Sequence, residues 1–294
     1  MASIRQKIPS SLLFLLVGDV ASGFSDFILT TLLLTYVLRG QSFIQLVSII
    51  GLFTYIWNAL NIFLGILVDK FTGKIILTLS TILRLLIAIA LLSLISTPNY
   101  AVIMYIIFSL LRSLYLISFR TISPIFCTMH SYNLKKFNSI EGTYFSLVRM
   151  IGLSMLSVLL LTGYQDILLL VIILPFSIGV IFLILPTIRL HSQNYITNPS
   201  RNLITNLTIL KEKLFLKFLI IISIANIPTL TLAIFLPLLL TYNTIESELL
   251  GIIQTSYYAG LSAGAFLSTK IRVFPTYKNT IKLISKIFLF YSLI

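Results

Sequence analysis

Long apolar runs separated by short polar segments make up most of this 294-residue chain. Each run has about 20 residues or more, which is the length that an α-helix needs to cross a bilayer. Barrel strands would instead alternate apolar and polar positions over about 10 residues. The pattern therefore predicts helical spans. They fall at 10–37, 42–68, 75–96, 99–127, 140–163, 166–188, 214–241 and 248–269, with a shorter ninth run from residue 280.

The composition supports a lipid-facing surface. The chain is 58% hydrophobic and only 10% charged, with a mean hydropathy of +1.05. A water-soluble domain carries about 25% charged residues, so this chain has too few to cover a surface that faces water. The net charge of +13 suggests nucleic acid as a candidate partner. The basic residues, however, are spread over short loops and form no patch with interleaved aromatics, so we expect a bilayer and no nucleic acid.

Basic residues are concentrated in the N-terminus and in alternate loops, which the positive-inside rule assigns to the cytoplasm. The opposite loops contain only Arg39 as a basic residue, together with the acidic residues Asp166, Glu246 and Glu248. We therefore expect a multi-pass protein of the cell membrane with a cytoplasmic N-terminus. The basic set is Arg5, Lys7, Lys70, Lys74, Lys135, Lys136, Arg189, Arg201, Lys211, Lys213, Lys217, Lys270, Arg272 and Lys278.

The longest loop, 189–213, reads as a cytoplasmic linker between a six-helix bundle at 1–188 and a partial bundle at 214–294. The pentapeptide LLLTY ends span one and occurs again at the end of span seven. A span follows each copy and reaches Gly65 in the first case and Gly264 in the second. Corresponding positions of this kind are typical of transporters built from parallel repeats.

The loop GILVDKFTGK, between spans two and three, resembles the signature loop of the major facilitator superfamily, which is close to G-x-x-x-D-[RK]-x-G-[RK]-[RK]. The second glycine comes one residue late here, as Gly73 behind Thr72. The stretch VGDVASGFSDFILTTLLL is similar to the first helix of the exporter branch, and FRTISPIF followed by NLKKFNSIEG resembles the end of helix four and the entry to helix five. The residues that fit the signature loop are Gly65, Asp69, Lys70 and Lys74.

The resemblance implies an all-α, major-facilitator-like fold, with a six-helix N-terminal bundle and an incomplete C-terminal bundle, about 8–9 helices in all. It implies that the loop acts as a cytoplasmic latch between bundles, where Gly65 allows close helix approach. The alternative is a simple membrane turn whose basic residues anchor it on the cytoplasmic side. The resemblance also implies a secondary transporter that exports a small-molecule substrate coupled to protons. Two expectations remain beside it: a truncated or degenerate non-transporting membrane protein, and a separately encoded C-terminal fragment as partner.

Five charged residues lie inside the predicted spans. Asp19 and Asp26 are seven residues apart in span one and so near one helix face, while Arg84, Arg112 and Arg149 lie in spans three, four and five. A charge at the bilayer centre costs about 2.5–3.5 kcal/mol, so each should face a cavity or a partner. By their depth within the predicted spans, Asp26 can pair with Arg112, and Asp19 can pair with Arg149. Proton coupling and structural ion pairing are open alternatives for these groups.

Arg112 resembles the helix-four arginine of proton-coupled exporters. Two charged residues nearer the cytoplasmic ends, Arg120 and Glu141, are interpreted as snorkelling anchors. Further polar residues are candidates to line a cavity, with simple helix packing as the alternative for each. They are Asn58, Asn61, Asn226 and Tyr257.

The sequence contains no nucleophile with a base, no HExxH, no phosphate loop and no paired metal ligands. We therefore predict no enzyme activity, no cofactor and no metal site. The single cysteine, Cys127, excludes an internal disulfide.

Overall fold

The computed structural model describes four long stretches of the chain and a few isolated positions. All the regular secondary structure in them is α-helical, which confirms the all-α prediction for this part of the chain. The linker, nearly all of the second bundle and about half of span two lie outside the described residues. The described residues are 8–38, 60–94, 97–162 and 165–189, with 49, 52–53, 56–57 and 259–260.

Five of the six described helices each correspond to a predicted span, and the remaining helix, Asn61–Phe71, overlaps the end of span two. Three stretches within them are long and apolar enough to cross a membrane, namely Ser10–Leu33, Gly73–Ser93 and Asn99–Met129. The chain is thus consistent with an α-helical membrane protein, while the total of 8–9 spans stays a prediction. The helices are α1 (Ser10–Leu38), α2 (Asn61–Phe71), α3 (Gly73–Ser93), α4 (Pro98–Met129), α5 (Leu134–Thr162) and α6 (Gln165–Arg189).

A tight turn ends α4 two residues beyond the predicted boundary. Ser131 adopts a φ of 50°, and the backbone N–H of Tyr132 donates to the carbonyl of Cys127 at 2.8 Å. The N–H of Ser131 donates to the carbonyl of Thr128 at 3.1 Å. This pair of bonds is a Schellman motif, which satisfies carbonyl groups left open at a helix end.

The next helix, α5, begins six residues before the predicted span at 140. Asn133 lies just before it, and its side-chain oxygen accepts a hydrogen bond from the N–H of Lys136 at 3.1 Å. An asparagine in this position satisfies one of the open N–H groups of the first turn. The first turn of α5 is therefore a polar, capped segment that precedes the apolar part of the helix.

The helix α1 is the common packing partner of the bundle. It packs most extensively against α6 and also contacts α5 and α4. The helix α3 packs mainly on α4 and also contacts α6, whereas α2 contacts α4 and α3. Four helices, α1, α3, α4 and α6, therefore enclose one shared interior.

That interior has two apolar clusters with polar residues between them. One cluster includes Leu29, Leu91, Phe108 and Phe176. The other includes Leu15, Leu77, Phe119 and Leu183. Between them lies a layer of buried polar side chains, which is where the charged residues of the spans are found. The polar layer contains Asp19, Ser22, Ser25, Asp26, Ser80, Thr81, Arg84 and Ser118.

The close packing of α1 on α6 depends on small residues. A Cβ atom added to Gly179 would lie 3.0 Å from the backbone oxygen of Gly18 and 3.0 Å from the backbone nitrogen of Ser22. Gly18 and Ser22 are four residues apart and form a small-xxx-small pair on one helix face, as is typical of closely packed membrane helices. The spacing of Gly18 and Ser22 is visible in the sequence.

The close approach predicted for Gly65 is not found against the described helices. A Cβ atom added to Gly65 would meet no atom within 4 Å. Gly65 therefore makes no close helix contact with the described residues, and its place in the latch stays a prediction.

We expect Gly179→Leu to destabilise the bundle, because the new side chain would push α6 away from the backbone of α1. Overpacking of this kind costs about 1–3 kcal/mol. The thermal unfolding midpoint of the purified chain in detergent measures the effect. Gly65→Leu is the matched control and should leave the midpoint almost unchanged. Equal losses in both variants would contradict the assignment of the α1–α6 contact to Gly179.

Candidate functional site

Arg84 lies in the middle of α3, and its side chain is fully buried. Its guanidinium carbon lies 4.2 Å from the ring centroid of Tyr115, 5.2 Å from that of Phe176 and 5.8 Å from that of Phe108. Aromatic ring faces attract cations, so these rings partly replace the water that the guanidinium loses. Helices α4 and α6 thereby hold a charge inside the apolar bundle.

The charge of Arg84 is paired with Asp26 of α1. The Nη2 group of Arg84 donates a hydrogen bond to Oδ2 of Asp26. The Nε atom of Arg112 lies 3.6 Å from the same oxygen. Asp26 and Arg112, which the sequence pairs by depth, therefore lie near each other in the structure. The main partner of Asp26, however, is Arg84.

A residue count from the helix ends does not predict the pairing of Arg84 with Asp26. The helix α1 has 29 residues and α3 has 21, so equal counts from their ends do not give equal depths. An arginine side chain also extends several ångströms along its helix. The pairing of Arg84 with Asp26 was therefore decided by how the helices pack.

The other aspartate of α1 has a neutral partner. The Tyr115 hydroxyl donates a hydrogen bond of 2.6 Å to Oδ1 of Asp19, and both residues are buried. The ring of the same tyrosine lies against Arg84, so Tyr115 joins the two aspartates into one network. We call Asp19, Asp26, Arg84, Arg112 and Tyr115 the interior polar network.

Tyr115 was not among the predicted site residues. Tyrosine is common in apolar helices, and nothing about it alone marked a site. The available signal was its spacing from Arg112, because residues three apart lie on one face of a helix. A polar face of α4 opposite the aspartates of α1 could have been inferred from that spacing.

Arg149 of α5 lies beside aromatic rings. Its guanidinium carbon is 4.1 Å from the ring centroid of Phe145 and 5.4 Å from that of Phe27. Since the hydrogen bond to Asp19 comes from Tyr115, the predicted pairing of Asp19 with Arg149 has no direct support in these contacts and stays a prediction.

Several buried polar atoms of the network have no hydrogen-bond partner within the described part of the chain. They are Nε and Nη1 of Arg84 and Oδ1 of Asp26. Buried polar atoms are nearly always paired in proteins, by other residues or by water. The centre of the bundle thus retains hydrogen-bonding capacity that its own described side chains do not use.

A second ion pair lies closer to the predicted cytoplasmic side. Arg120 and Glu141 approach to 3.8 Å, with side chains 66% and 11% exposed respectively. The exposure of Arg120 agrees with an anchor at the membrane surface. Glu141 does not snorkel, because it is buried between helices, and its interpretation as an anchor was wrong.

The predicted latch residues lie at the turn from α2 to α3. Asp69 and Lys70 are exposed, and the ammonium of Lys70 lies 5.7 Å from the ring centroid of Phe71. The Asp69 carboxylate has no hydrogen bond or ion pair with the described residues. Lys74 is partly buried at the start of α3. A partner in the second bundle would lie outside the described residues, so the latch stays a prediction.

The shift of the second glycine in this loop has a conformational consequence. Thr72 has a φ of 65°, in the region that favours glycine. The signature of the major facilitator superfamily has its glycine at this position, whereas this chain has the β-branched Thr72 followed by Gly73. A Cβ atom added to Gly73 would lie 3.5 Å from side-chain atoms of Ile122 and Thr121, an ordinary contact distance.

Of the predicted cavity-lining residues, only Asn61 lies within the described part. Its side-chain oxygen is buried and has no hydrogen-bond partner among the described residues. Asn58, Asn226 and Tyr257 lie outside them. In the described ranges, no group of three or more potential metal ligands occurs.

An apolar cleft of about 500 Å³ opens between α1 and α5, beside α6. Tyr144 is the polar side chain that reaches it, and its other walls are aliphatic, aromatic or proline side chains. The cleft lies apart from the interior polar network, since none of the network residues lines it. Its walls include Leu13, Val17, Phe24, Val148, Ile151 and Pro175.

Comparison with known proteins identifies no relative: no family model, no curated protein and no solved structure matches this chain. The resemblance to the major facilitator superfamily therefore depends on the loop 65–74 and on the general layout. The interior polar network is an independent observation, because it comes from the geometry of the chain itself.

We expect Arg84→Met to destabilise the chain strongly, because it leaves the Asp26 carboxylate without its main partner. Breaking a buried pair from one side costs about 3–5 kcal/mol. Replacing both partners, as in Arg84→Met with Asp26→Leu, should recover most of that loss. Arg112→Met is the matched control and should cost less than about 1 kcal/mol, since partly exposed pairs contribute little.

The free energy of unfolding in a denaturing-detergent titration measures these effects. A loss in Arg84→Met as small as that in Arg112→Met would contradict the assignment of Arg84 as the main partner.

We expect exchange of the two residues, Thr72→Gly with Gly73→Thr, to stabilise the chain by about 1 kcal/mol, because it removes the positive φ from a β-branched residue. The exchange keeps the composition, so the flexibility of the unfolded chain changes little. Thermal unfolding in detergent checks the effect, and Thr72→Ala, which retains a Cβ atom, should give no gain. A lower midpoint after the exchange would contradict this account of the turn.

Proposed function

We propose that this chain is part of a secondary transporter that exports a small solute by alternating access, with protons as the coupling ion. The observation that supports it best is the interior polar network, enclosed by helices that are apolar over most of their length. Ionisable residues inside membrane-spanning helices are costly and commonly mark substrate or proton pathways. A bundle without such a role would gain stability from an apolar interior.

The proposed arrangement is that of the major facilitator superfamily. Residues 1–188 form the N-terminal six-helix bundle, with the N-terminus in the cytoplasm, and the linker leads to the second bundle. In this arrangement the loop 65–74 lies on the cytoplasmic side, where Asp69 is placed to contact the second bundle. The support is the match to the signature loop and the distribution of basic residues.

The two aspartates have different roles in this proposal. Asp26 is held by two guanidinium groups, so adding a proton to it would disrupt two ionic contacts. Asp19 is held by a neutral hydroxyl, so adding a proton breaks no ion pair. We assign a structural role to the ion pair of Asp26 with Arg84, and the proton-coupling role to Asp19. Structural ion pairing and proton coupling, the two alternatives left open by the sequence, thus apply to different aspartates.

Tyr115 is the element that connects proton binding to helix packing. It donates its hydroxyl hydrogen to the ionised form of Asp19. A protonated Asp19 can itself donate, so it no longer requires Tyr115 as a donor. Since the ring of Tyr115 lies against Arg84, a change in its position alters the contact of α4 with α3. A different contact between α3 and α4 would favour one access state over the other. Coupling of proton binding to transport requires such a difference in stability between the two access states.

The test uses the full chain in proteoliposomes with an imposed pH gradient and a panel of radiolabelled cationic, neutral and anionic solutes. We expect gradient-driven accumulation of at least one solute, abolished by a protonophore. Asp19→Asn keeps the acceptor for Tyr115 and should fold normally, but should lose the dependence on the gradient. Ser25→Ala, on the same helix, is the control and should behave as the unmodified chain.

Two outcomes would contradict this proposal. Accumulation by Asp19→Asn that still follows the pH gradient would remove the coupling role of Asp19. A folded, reconstituted chain that moves no solute would favour the non-transporting alternative.

A further inference from the structure

Glu141 lies near the predicted cytoplasmic end of the bundle, but it is not at the surface. Its side chain is largely buried, whereas that of its partner Arg120 is mostly exposed. A carboxylate that only anchored a helix end would be more stable in water, because burial of a charged group costs free energy. Ionisable groups buried in helical membrane proteins commonly belong to proton or substrate pathways. Anchoring therefore does not account for the position of Glu141.

The contact between Glu141 and Arg120 is loose. Nη2 of Arg120 lies 3.8 Å from Oε1 of Glu141. A charge-assisted hydrogen bond that fixed the carboxylate would be shorter, at about 2.7–2.9 Å. Partly exposed ion pairs of this kind also contribute little to stability. Arg120 can thus balance the charge of an ionised Glu141 without holding the residue in that form.

A second carboxylate, that of Asp19, lies within electrostatic reach of Glu141. Arg120 is near enough to act on the charges of both carboxylates, and Asp19 also acts on the charge of Glu141. Asp19 accepts its hydrogen bond from Tyr115, which precedes Arg120 in α4 by five residues. Five residues rise about 7–8 Å along an α-helix. Glu141 therefore lies nearer than Asp19 to the predicted cytoplasmic side.

A buried hydroxyl lies on α4 between these two depths. Ser118 is fully buried, and its Oγ atom has no hydrogen-bond partner within the described part of the chain. It follows Tyr115 by three residues, so the two side chains lie near one face of the helix. A serine hydroxyl can both donate and accept a hydrogen bond. From Tyr115 to Arg120, α4 thus carries polar groups at successive depths.

Few charged groups surround Glu141. Its helix α5 packs against α1, α4 and α6. From these helices, Asp19 of α1 and Arg120 of α4 act on the charge of Glu141. The other charged residues of the three helices are Asp26, Arg112, Asp166 and Arg189, and His130 follows the end of α4. Glu141 is therefore under the influence of one carboxylate and one guanidinium.

We propose that Glu141 is a second proton-binding carboxylate of this bundle and that it exchanges its proton with Asp19. In this step the proton leaves the Glu141 carboxyl group and binds to the ionised Asp19, so the total charge of the two residues does not change. Arg120 balances the charge of Glu141 until another proton arrives from the predicted cytoplasmic side. Asp19, which is buried, thereby exchanges protons with the exterior. That this exchange serves transport rests on the function proposed above.

Two carboxylates that interact in this way titrate as a pair. Because like charges repel, ionisation of one makes ionisation of the other less favourable. By thermodynamic linkage, the effect has the same size in both directions. For charges about 10 Å apart at an effective dielectric constant near 20, it is roughly tenfold in proton affinity.

The experiment uses the full chain in nanodiscs of zwitterionic phosphatidylcholine. Infrared difference spectra are recorded over the acidic and neutral pH range, and the carboxyl stretching bands are followed. Asp19→Asn removes the band of Asp19, and Glu141→Gln removes that of Glu141. We expect the band that remains in each variant to titrate at a changed pH, with the same change in both, roughly tenfold in proton affinity.

Two further variants test the assignment. Glu141→Asp keeps a carboxyl group and should restore part of the effect on Asp19. Lys136→Gln removes an exposed charge from the first turn of the same helix. It is the matched control and should leave both titrations unchanged, since exposed charges are screened by salt.

Transport provides a separate measurement. In proteoliposomes, Glu141→Gln should slow gradient-driven solute accumulation at least about tenfold, because general acid–base groups contribute that much or more to proton-transfer rates. The final level of accumulation should stay the same, since Asp19 still couples the solute to the proton. Glu141→Asp should recover part of the rate.

An unchanged titration of Asp19 in Glu141→Gln would overturn the proposal, because Glu141 would then be only a structural partner of Arg120. An equal change in Lys136→Gln would also overturn it, since it would indicate an effect of surface charge. Reciprocal titration in a chain that moves no solute would support the proton exchange and refute the transport function. Accumulation at an unaltered rate in Glu141→Gln would support transport and refute the role of Glu141.

Discussion

The ion pair between Arg84 and Asp26 is the interaction on which the arrangement of the described helices depends. A guanidinium inside an apolar bundle is tolerated only if a carboxylate and suitable surroundings replace its water. Asp26 comes from α1, and the aromatic rings around Arg84 come from α4 and α6. Four helices must therefore meet at the position of Arg84, and their relative depth is fixed by that meeting.

Close packing and buried charge impose different requirements on α1. On one side, Gly18 and Ser22 allow the backbone of α6 to approach at Gly179. On another side, Asp19 and Asp26 reach Tyr115 and Arg84. The helix thus combines a tight apolar contact with a polar contact that can change its protonation. In the proposed function, a rigid α1–α6 pair leaves α4, through Tyr115, as the helix whose contact with Asp19 changes when Asp19 is protonated.

Much of the architecture follows from the sequence because the bilayer restricts the choices. The helical spans follow from the length of the apolar runs, and the described helix ends lie within a few residues of most predicted boundaries. The boundary of α5 differs because the cap at Asn133 extends the helix into polar sequence. Four of the charges predicted inside spans, Asp19, Asp26, Arg84 and Arg112, lie in helices that are long and apolar enough to cross a membrane.

The sequence by itself determined that the chain is helical, where its apolar runs lie and which charges they contain. Only the tertiary structure decided which charges meet, because helix lengths and packing set relative depth, and residue counts do not. It joined Asp26 to Arg84, gave Asp19 the hydroxyl of Tyr115, and buried Glu141 beside Arg120. It also placed a close contact between two described helices at Gly179, since a glycine permits close approach only where a second helix faces it.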